Sequence, residues 1–149
     1  MQATFEELLS PDNTIRKRAE AHIETEYKQN PAGFAERLVM GLGSKFEVAS
    51  MCCVLLKKYF LDSRATTELA DQDLENLRNA LLESIDLEKQ PLSLLKRKGD
   101  VLSKIYAKLK KTEMLLAYLV QLADHAEPKV RQFAMYVFEI LSEVHLSSA

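Results

Sequence analysis

The chain has 149 residues, 47% hydrophobic and 28% charged, which suits one compact domain or a short repeat array and excludes disordered and membrane-embedded compositions. Its formal net charge of -2 argues against a general polyanion binder, so no direct nucleic-acid partner is expected. No apolar run approaches the length of a membrane span, and the opening MQATFEELLSPDN has neither a basic start nor a hydrophobic signal core, so an intracellular protein without a membrane partner is expected.

Four Gly, four Pro and no Trp leave little room for the turns of an all-β fold. The abundance of Leu, Ala, Glu and Lys favours helices. The two cysteines, Cys52 and Cys53, are neighbours. On a helix they point about 100° apart and are poorly placed to bond each other, so buried reduced thiols are expected.

In chain order, Thr4 to Leu9 reads as a short helix with Phe5, Leu8 and Leu9 on one side. Ser10-Pro11-Asp12-Asn13 is a turn rich in N-cap groups. The next helix places Ile15, Ala19, His22 and Ile23 on one face and stops before Asn30-Pro31. Pro31 opens a third helix with a Phe34, Leu38, Val39 stripe, closed at Gly41-Leu42-Gly43-Ser44, where Gly tolerates a left-handed end. The helix from about Lys45 to Leu61 has one broad face of Val48, Met51, Cys52, Leu55 and Tyr59, with Val54 and Leu61 outside it. Asp62 to Gln72 reads as a longer connection.

Asp73 is the expected cap of a helix carrying Leu74, Leu77, Leu81 and Ile85, broken at Gln90-Pro91. The helix that follows runs to about Lys110 with Leu94, Val101, Ile105 and Leu109 inside. Gly99 costs this helix about 1 kcal/mol relative to Ala and points to a closely packed neighbour. Thr112 is the expected cap of a helix carrying Leu115, Leu116, Leu119 and Leu122. Glu127-Pro128 opens the last helix, with Val130, Ala134, Val137, Phe138, Leu141 and Val144 inward. Eight helices in four antiparallel pairs result, over about 1–29, 30–62, 72–110 and 111–146.

Two of these helices share a phrase. Asp12-Asn13-Thr14-Ile15-Arg16-Lys17-Arg18-Ala19 and Glu127-Pro128-Lys129-Val130-Arg131-Gln132-Phe133-Ala134 both read as acidic, two spacers, β-branched apolar, Arg, two spacers, Ala. The apolar residue and the Ala share a face, and the Arg is placed to reach acidic or carbonyl groups of the adjoining turn. Val48 to Cys52 and Leu94 to Lys98 are degenerate counterparts. The phrases recur every 33 to 46 residues or so, the spacing of HEAT and related helical repeats. The expected fold is therefore all-α, a right-handed α-solenoid of about four HEAT repeats, since one pair cannot cover its own apolar faces.

Leu8-Leu9-Ser10-Pro11-Asp12-Asn13, Ile15-Arg16-Lys17 and Ala19-Glu20, followed by Ser50 to Phe60, resemble the N-terminus of the importin-β (karyopherin-β) family, in particular its importin beta-3 branch. That family opens with a phrase of the form LLSPDNxxRKxAE and continues with a helix of the form RQxAAxLLKKxF. Ala49 and Ser50 stand where many members carry Arg-Gln, and Cys52-Cys53 replace two alanines. The resemblance implies a nuclear transport receptor that shuttles between cytoplasm and nucleus. It implies protein cargo, Phe-Gly nucleoporins and the GTP form of Ran as partners, and no enzymatic activity or cofactor. The Ran contact would use the inner, second helices of the first repeats. A monomer is expected. The end at Ser147-Ser148-Ala149 lacks a polar capping repeat, so a segment of a longer receptor is expected.

Cations recur on the second helices: Arg16-Lys17-Arg18, Lys57-Lys58 and Lys96-Arg97-Lys98. Lys17 and Glu24 lie opposite the Ile15/Ala19 face, Lys57 opposite Val48/Cys52, and Lys96 and Ser103 opposite Val101/Ile105. Lys17, Glu24, Lys57, Lys96 and Ser103 are thus the candidate Ran face, against the ordinary reading of each as a solvated surface residue. His22 and Glu26 have the spacing of a helical metal pair but no further ligands, so His22 is expected at the core edge and no metal site is expected. His125 is expected at a helix end, near free carbonyls. No phosphate loop, nucleophile motif or zinc-spaced cluster occurs. A HEAT scaffold of another class, such as a phosphatase regulatory scaffold, is the second reading. A helical-repeat nucleic-acid enzyme is a third, disfavoured by the net charge.

Overall fold

The computed structural model describes residues 2–62 and 69–148, with side chains described for 5–62 and 69–143. Among the described residues the chain is all-α, with eight α-helices and no strand. They are α1 (Gln2–Leu8), α2 (Asn13–Gln29), α3 (Pro31–Gly41), α4 (Phe46–Leu56), α5 (Asp71–Glu83), α6 (Leu92–Leu109), α7 (Thr112–Ala123) and α8 (Pro128–Ser148). A π turn, Lys57–Leu61, extends α4. Most of the expected 62–72 connection lies outside the described residues, as do the side chains of Val144 and His145.

Local chemistry sets the helix ends. Asp12 Oδ1 accepts the N–H groups of Thr14 (2.8 Å) and Ile15 (3.4 Å), which capping requires. Asn30 Oδ1 accepts Gly33 N–H at 3.1 Å, and Pro31 follows at the first helical position. Two expected caps are displaced. Ala70 and Lys111 precede α5 and α7 without side-chain capping bonds, and Asp73 and Thr112 lie inside the first turns. Asp71 and Asp73 still favour that end of α5 by their charge. The helix also stops at Glu83 instead of reaching Gln90. Asp86 Oδ1 takes the N–H groups of Glu88 and Lys89, a local alternative that competes with helix.

The expected left-handed glycine ends are absent, since no described glycine has positive φ. Gly41 instead makes room for Cys52, whose Sγ would collide with any Cβ there. The left-handed residue is Lys110 (φ 57°), which ends α6. Its N–H bonds Ala107 O, and Lys111 N–H bonds Tyr106 O at 2.9 Å, the paired bonds of a Schellman ending.

The π turn changes which side chains face inward. Asp62 N–H reaches back five residues to Lys57 O at 2.8 Å. The wider turn shifts the helical register, so Tyr59, Phe60 and Leu61 are all buried in succession. Leu61 therefore belongs to the core, not to the outer face expected for it. Tyr27, Phe34, Tyr59 and Phe60 pack edge-on and tilted with centroids 4.5–6.2 Å apart, joining α2, α3 and the π turn.

One continuous core runs through the described helices. The second helices α4, α6 and α8 lie side by side; α3 packs on α4 and α5, α5 on α6, and α7 on α6 and α8. At the other end α1 meets α2 and α4, and α2 meets α3. Helix α6 is central, touching α4, the π turn, α5, α7 and α8. At Gly99 α8 packs closely on α6, since a Cβ there would lie 2.6 Å from Val137 Cγ2 and 2.9 Å from Phe133 Cε1. On α7 Leu116 is exposed, beside exposed Val120.

Candidate partner-binding face

The seam between α4 and α6 carries charge. Lys57, at the start of the π turn, pairs with Asp100 of α6. Lys104, one turn further along α6, pairs with Asp62 at 3.4 Å. Lys96 lies one turn before Asp100 along α6 and faces α8. Lys96 has no acidic partner among the described residues; its Nζ lies 5.2 Å from the ring centroid of Tyr136 on α8. Beside it a groove of about 540 Å³ separates α6 from α8, with Leu92, Lys96, Gln132, Met135, Tyr136 and Glu139 in its walls. Met135 is 56% exposed there. A cation over an aromatic, with apolar side chains and a carboxylate nearby, suits recognition of a protein surface.

The other candidates divide. Lys17 is exposed on α2, and no contact joins it to the α6/α8 groove. Glu24 is half-buried and accepts the Tyr59 hydroxyl. Burial pushes Tyr59 well above the usual phenol range, and the bond to Glu24 adds to it. Ser103 is buried (2% exposed), and its hydroxyl donates to Asp100 O at 2.7 Å. It is therefore withdrawn from the face: α6 is packed from several sides, and the position opposite Val101 and Ile105 also falls in an interface. The candidate residues therefore separate: Lys57 lies between the π turn and α6, Lys96 in the α6/α8 groove, Glu24 against Tyr59 of the π turn, and Lys17 on the exposed side of α2.

Lys98 departs furthest from expectation. Grouped with Lys96 and Arg97 as a surface cation, it is fully buried. Its Nζ donates to Ser84 O at 2.6 Å and to Gln90 Oε1 at 3.4 Å. Burial holds its ammonium below the ordinary lysine value, against an opposing effect of Cys53. Lys129 of α8 donates to Glu88 O (2.7 Å) and Gln90 O (2.9 Å) of the same connection. The repeat phrase hints at this role: Lys98 stands at the position occupied by Ala19, Cys52 and Ala134, all buried.

The cysteines are free and buried. Burial pushes Cys52 up to about 12 and Cys53 up to about 11, so both are thiols at neutral pH. His22 is exposed, not at the core edge, and Glu26 pairs with Arg37 instead of joining His22. His125 lies at the end of α7 as expected, its N–H bonded to Leu122 O, and its Nδ1 accepts Glu127 N–H at 3.0 Å just before α8. No group of metal-ligating side chains occurs among the described residues. No described helix is long and apolar enough to cross a membrane.

Comparison with models of known protein families, with curated proteins and with solved structures found no match.

Proposed function

We propose that the chain is a right-handed stack of four HEAT-type helix pairs, and that it is the N-terminal, Ran-contacting segment of an importin-β type transport receptor. The observation that carries the repeat is a matched pair of bonds. Arg16 donates to Ser10 O (3.3 Å) and Arg131 donates to His125 O (2.7 Å), each reaching six residues back into the turn before its helix. The same phrase thus performs the same task in the first and last pairs, and Ala19 and Ala134 are both buried against neighbours. The transport role is supported by the opening phrase and by the Ser50 to Phe60 helix. In this reading the GTP form of Ran meets Lys57 and Lys96, with Lys17 at the edge of the contact. Cargo and Phe-Gly nucleoporins use other surfaces, and the protein shuttles between cytoplasm and nucleus.

The test is binding of the chain to Ran loaded with GTP or with GDP, read by interferometry. Selective binding of the GTP form is expected. Reversing Lys17, Lys57 and Lys96 to Glu together should weaken it at least tenfold, because charges across an interface steer association and fix register. A melting curve checks that the triple variant stays folded. Equal binding of both Ran forms, or no effect of the triple reversal in a folded protein, removes this face from the mechanism.

A further inference from the structure

The α3/α5 side carries a second groove, which shares no wall residue with the one between α6 and α8. We propose that it is a docking site for a basic amphipathic helix of a partner protein. Its cavity measures about 390 Å³ and is walled by Ala32, Ala35, Val39 and Met40 of α3 with Leu69 and Leu77. Met40 is 79% exposed, although its own helix already buries Phe34, Leu38 and Gly41 on another face. Helix α3 is therefore apolar over more of its circumference than a one-sided helix requires.

The groove has helical dimensions. Ala32, Ala35, Val39 and Met40 follow the i, i+3, i+7, i+8 pattern, which spans about 12 Å along the axis, roughly two turns. A partner helix presents anchors at the same period, so two or three apolar side chains enter side by side. The small Ala32 and Ala35 leave space for them.

The rim selects the charge. Glu36 and Asp73 stand at the edge with Asn76, and no Lys or Arg contributes to the wall. Neither carboxylate has an ion-pair partner among the described residues. A segment with Lys or Arg flanking its apolar stripe supplies both missing partners; an acidic segment is repelled, and an uncharged one gains nothing from the rim.

Three exposed methionines make the test direct: Met40 reports this groove, Met135 the α6/α8 groove and Met114 the outer side of α7. The intact chain, labelled at methionine methyls, is titrated by NMR with a synthetic amphipathic peptide of Leu and Lys. Parallel titrations use a Leu and Glu peptide of the same length and a Phe-Gly repeat peptide. The Leu and Lys peptide should shift Met40 and leave Met114 and Met135 in place. Its affinity should fall at least tenfold as salt rises from about 0.05 to 0.5 M. It should fall by a similar factor in the double variant Glu36→Lys, Asp73→Lys. An unmoved Met40 overturns the assignment, as does a shift of Met114 or Met135 in its place. Equal capture of the Leu and Glu or Phe-Gly peptide overturns the charge selection. A Met40 shift produced by concentrating the chain alone assigns the groove to a second copy and also refutes the proposal. None of these readings involves Ran, so the groove and the Ran-facing lysines stand or fall separately.

Discussion

Replacing Lys98 by Met should leave stability within about 1 kcal/mol of wild type, although it removes a fully buried, hydrogen-bonded cation. The lost bonds favour the lysine. A hydrogen bond from a charged donor is worth about 1.5–3 kcal/mol, and only the one to Ser84 O is short. Desolvation works against it, since an ion held out of water costs several kcal/mol. Both acceptors also keep a second donor: Gln90 Nε2 bonds Ser84 O at 2.8 Å, and Asp86 N–H bonds Gln90 Oε1 at 3.2 Å. Met therefore fills the space of the stem and leaves no orphaned oxygen. Lys98→Ala removes the stem as well and should cost about 2–4 kcal/mol through the cavity it opens.

The pH dependence separates the charge from the packing. Burial lowers the folded-state value of Lys98 below its ordinary 10.5. Between the two values the unfolded chain holds the extra proton, so the lysine's contribution to stability rises as pH rises through that window. The thiols act in the opposite sense: Cys53 and Cys52 are raised in the fold from 9.0 to about 11 and about 12, so their contribution is lost above about pH 9. The difference between wild type and Lys98→Met cancels most of the thiol effect. Urea unfolding followed by circular dichroism at pH 7 and near pH 10 measures it. Wild type should gain on the Met variant at the higher pH. A flat difference, or a Met variant that loses as much as the Ala variant at both pH values, refutes this account of the buried cation.

Gly99→Ala should destabilise by about 1–3 kcal/mol despite its higher helix propensity, because the new Cβ meets Val137 and Phe133; thermal melting checks it. Arg131→Ala should cost about 1–2 kcal/mol, since one guanidinium nitrogen serves His125 O at 2.7 Å and Ala126 O at 3.0 Å. Arg16→Ala should cost less, its carbonyl bond being 3.3 Å long, and denaturant midpoints of the two variants rank them. Lys110→Gly should raise stability by roughly 0.5–1 kcal/mol, because φ 57° strains any residue with a Cβ; a higher melting temperature is the expected readout.

Helix order was legible because each helix repeats its apolar residues at a helical period and most joints carry Gly, Pro, Asp or Asn. The close approach at Gly99 and the reach of Arg16 and Arg131 to turn carbonyls were legible too, since each depends on a few neighbouring positions. The candidate face was only partly legible. Lys57 lies between the π turn and α6 and Lys96 in the α6/α8 groove, whereas Ser103 and Lys98 vanish into the interior. A helical wheel assumes one covered stripe, and α6 is contacted from several sides. Leu61 was misplaced for a related reason, because a wheel assumes constant pitch and the π turn breaks it. On α7 Leu115 is fully buried and its neighbour Leu116 is exposed, as adjacent helical positions point about 100° apart.

Lys98 also bears on how the four pairs are related. In the first and last pairs the connection between helices is fixed by an arginine that bonds a carbonyl of that turn. In the third pair Leu95 stands at the arginine's position and is fully buried. The connection there, Ser84 to Pro91, is about twice as long as the turn before α8. There Lys98, at the small-residue position, bonds Ser84 O, and Lys129 of α8 bonds Glu88 O and Gln90 O. In the second pair the tight turn closes through backbone bonds, Leu42 N–H to Val39 O and Ser44 N–H to Gly41 O. In the first, third and last pairs a cation of the second helix bonds a carbonyl of the connection, Arg16 and Arg131 at one position of the phrase and Lys98 three positions later. The third phrase differs in its letters from the first and last, and a lysine four residues on from its first apolar position joins Gln90 Nε2 in bonding Ser84 O of the preceding connection.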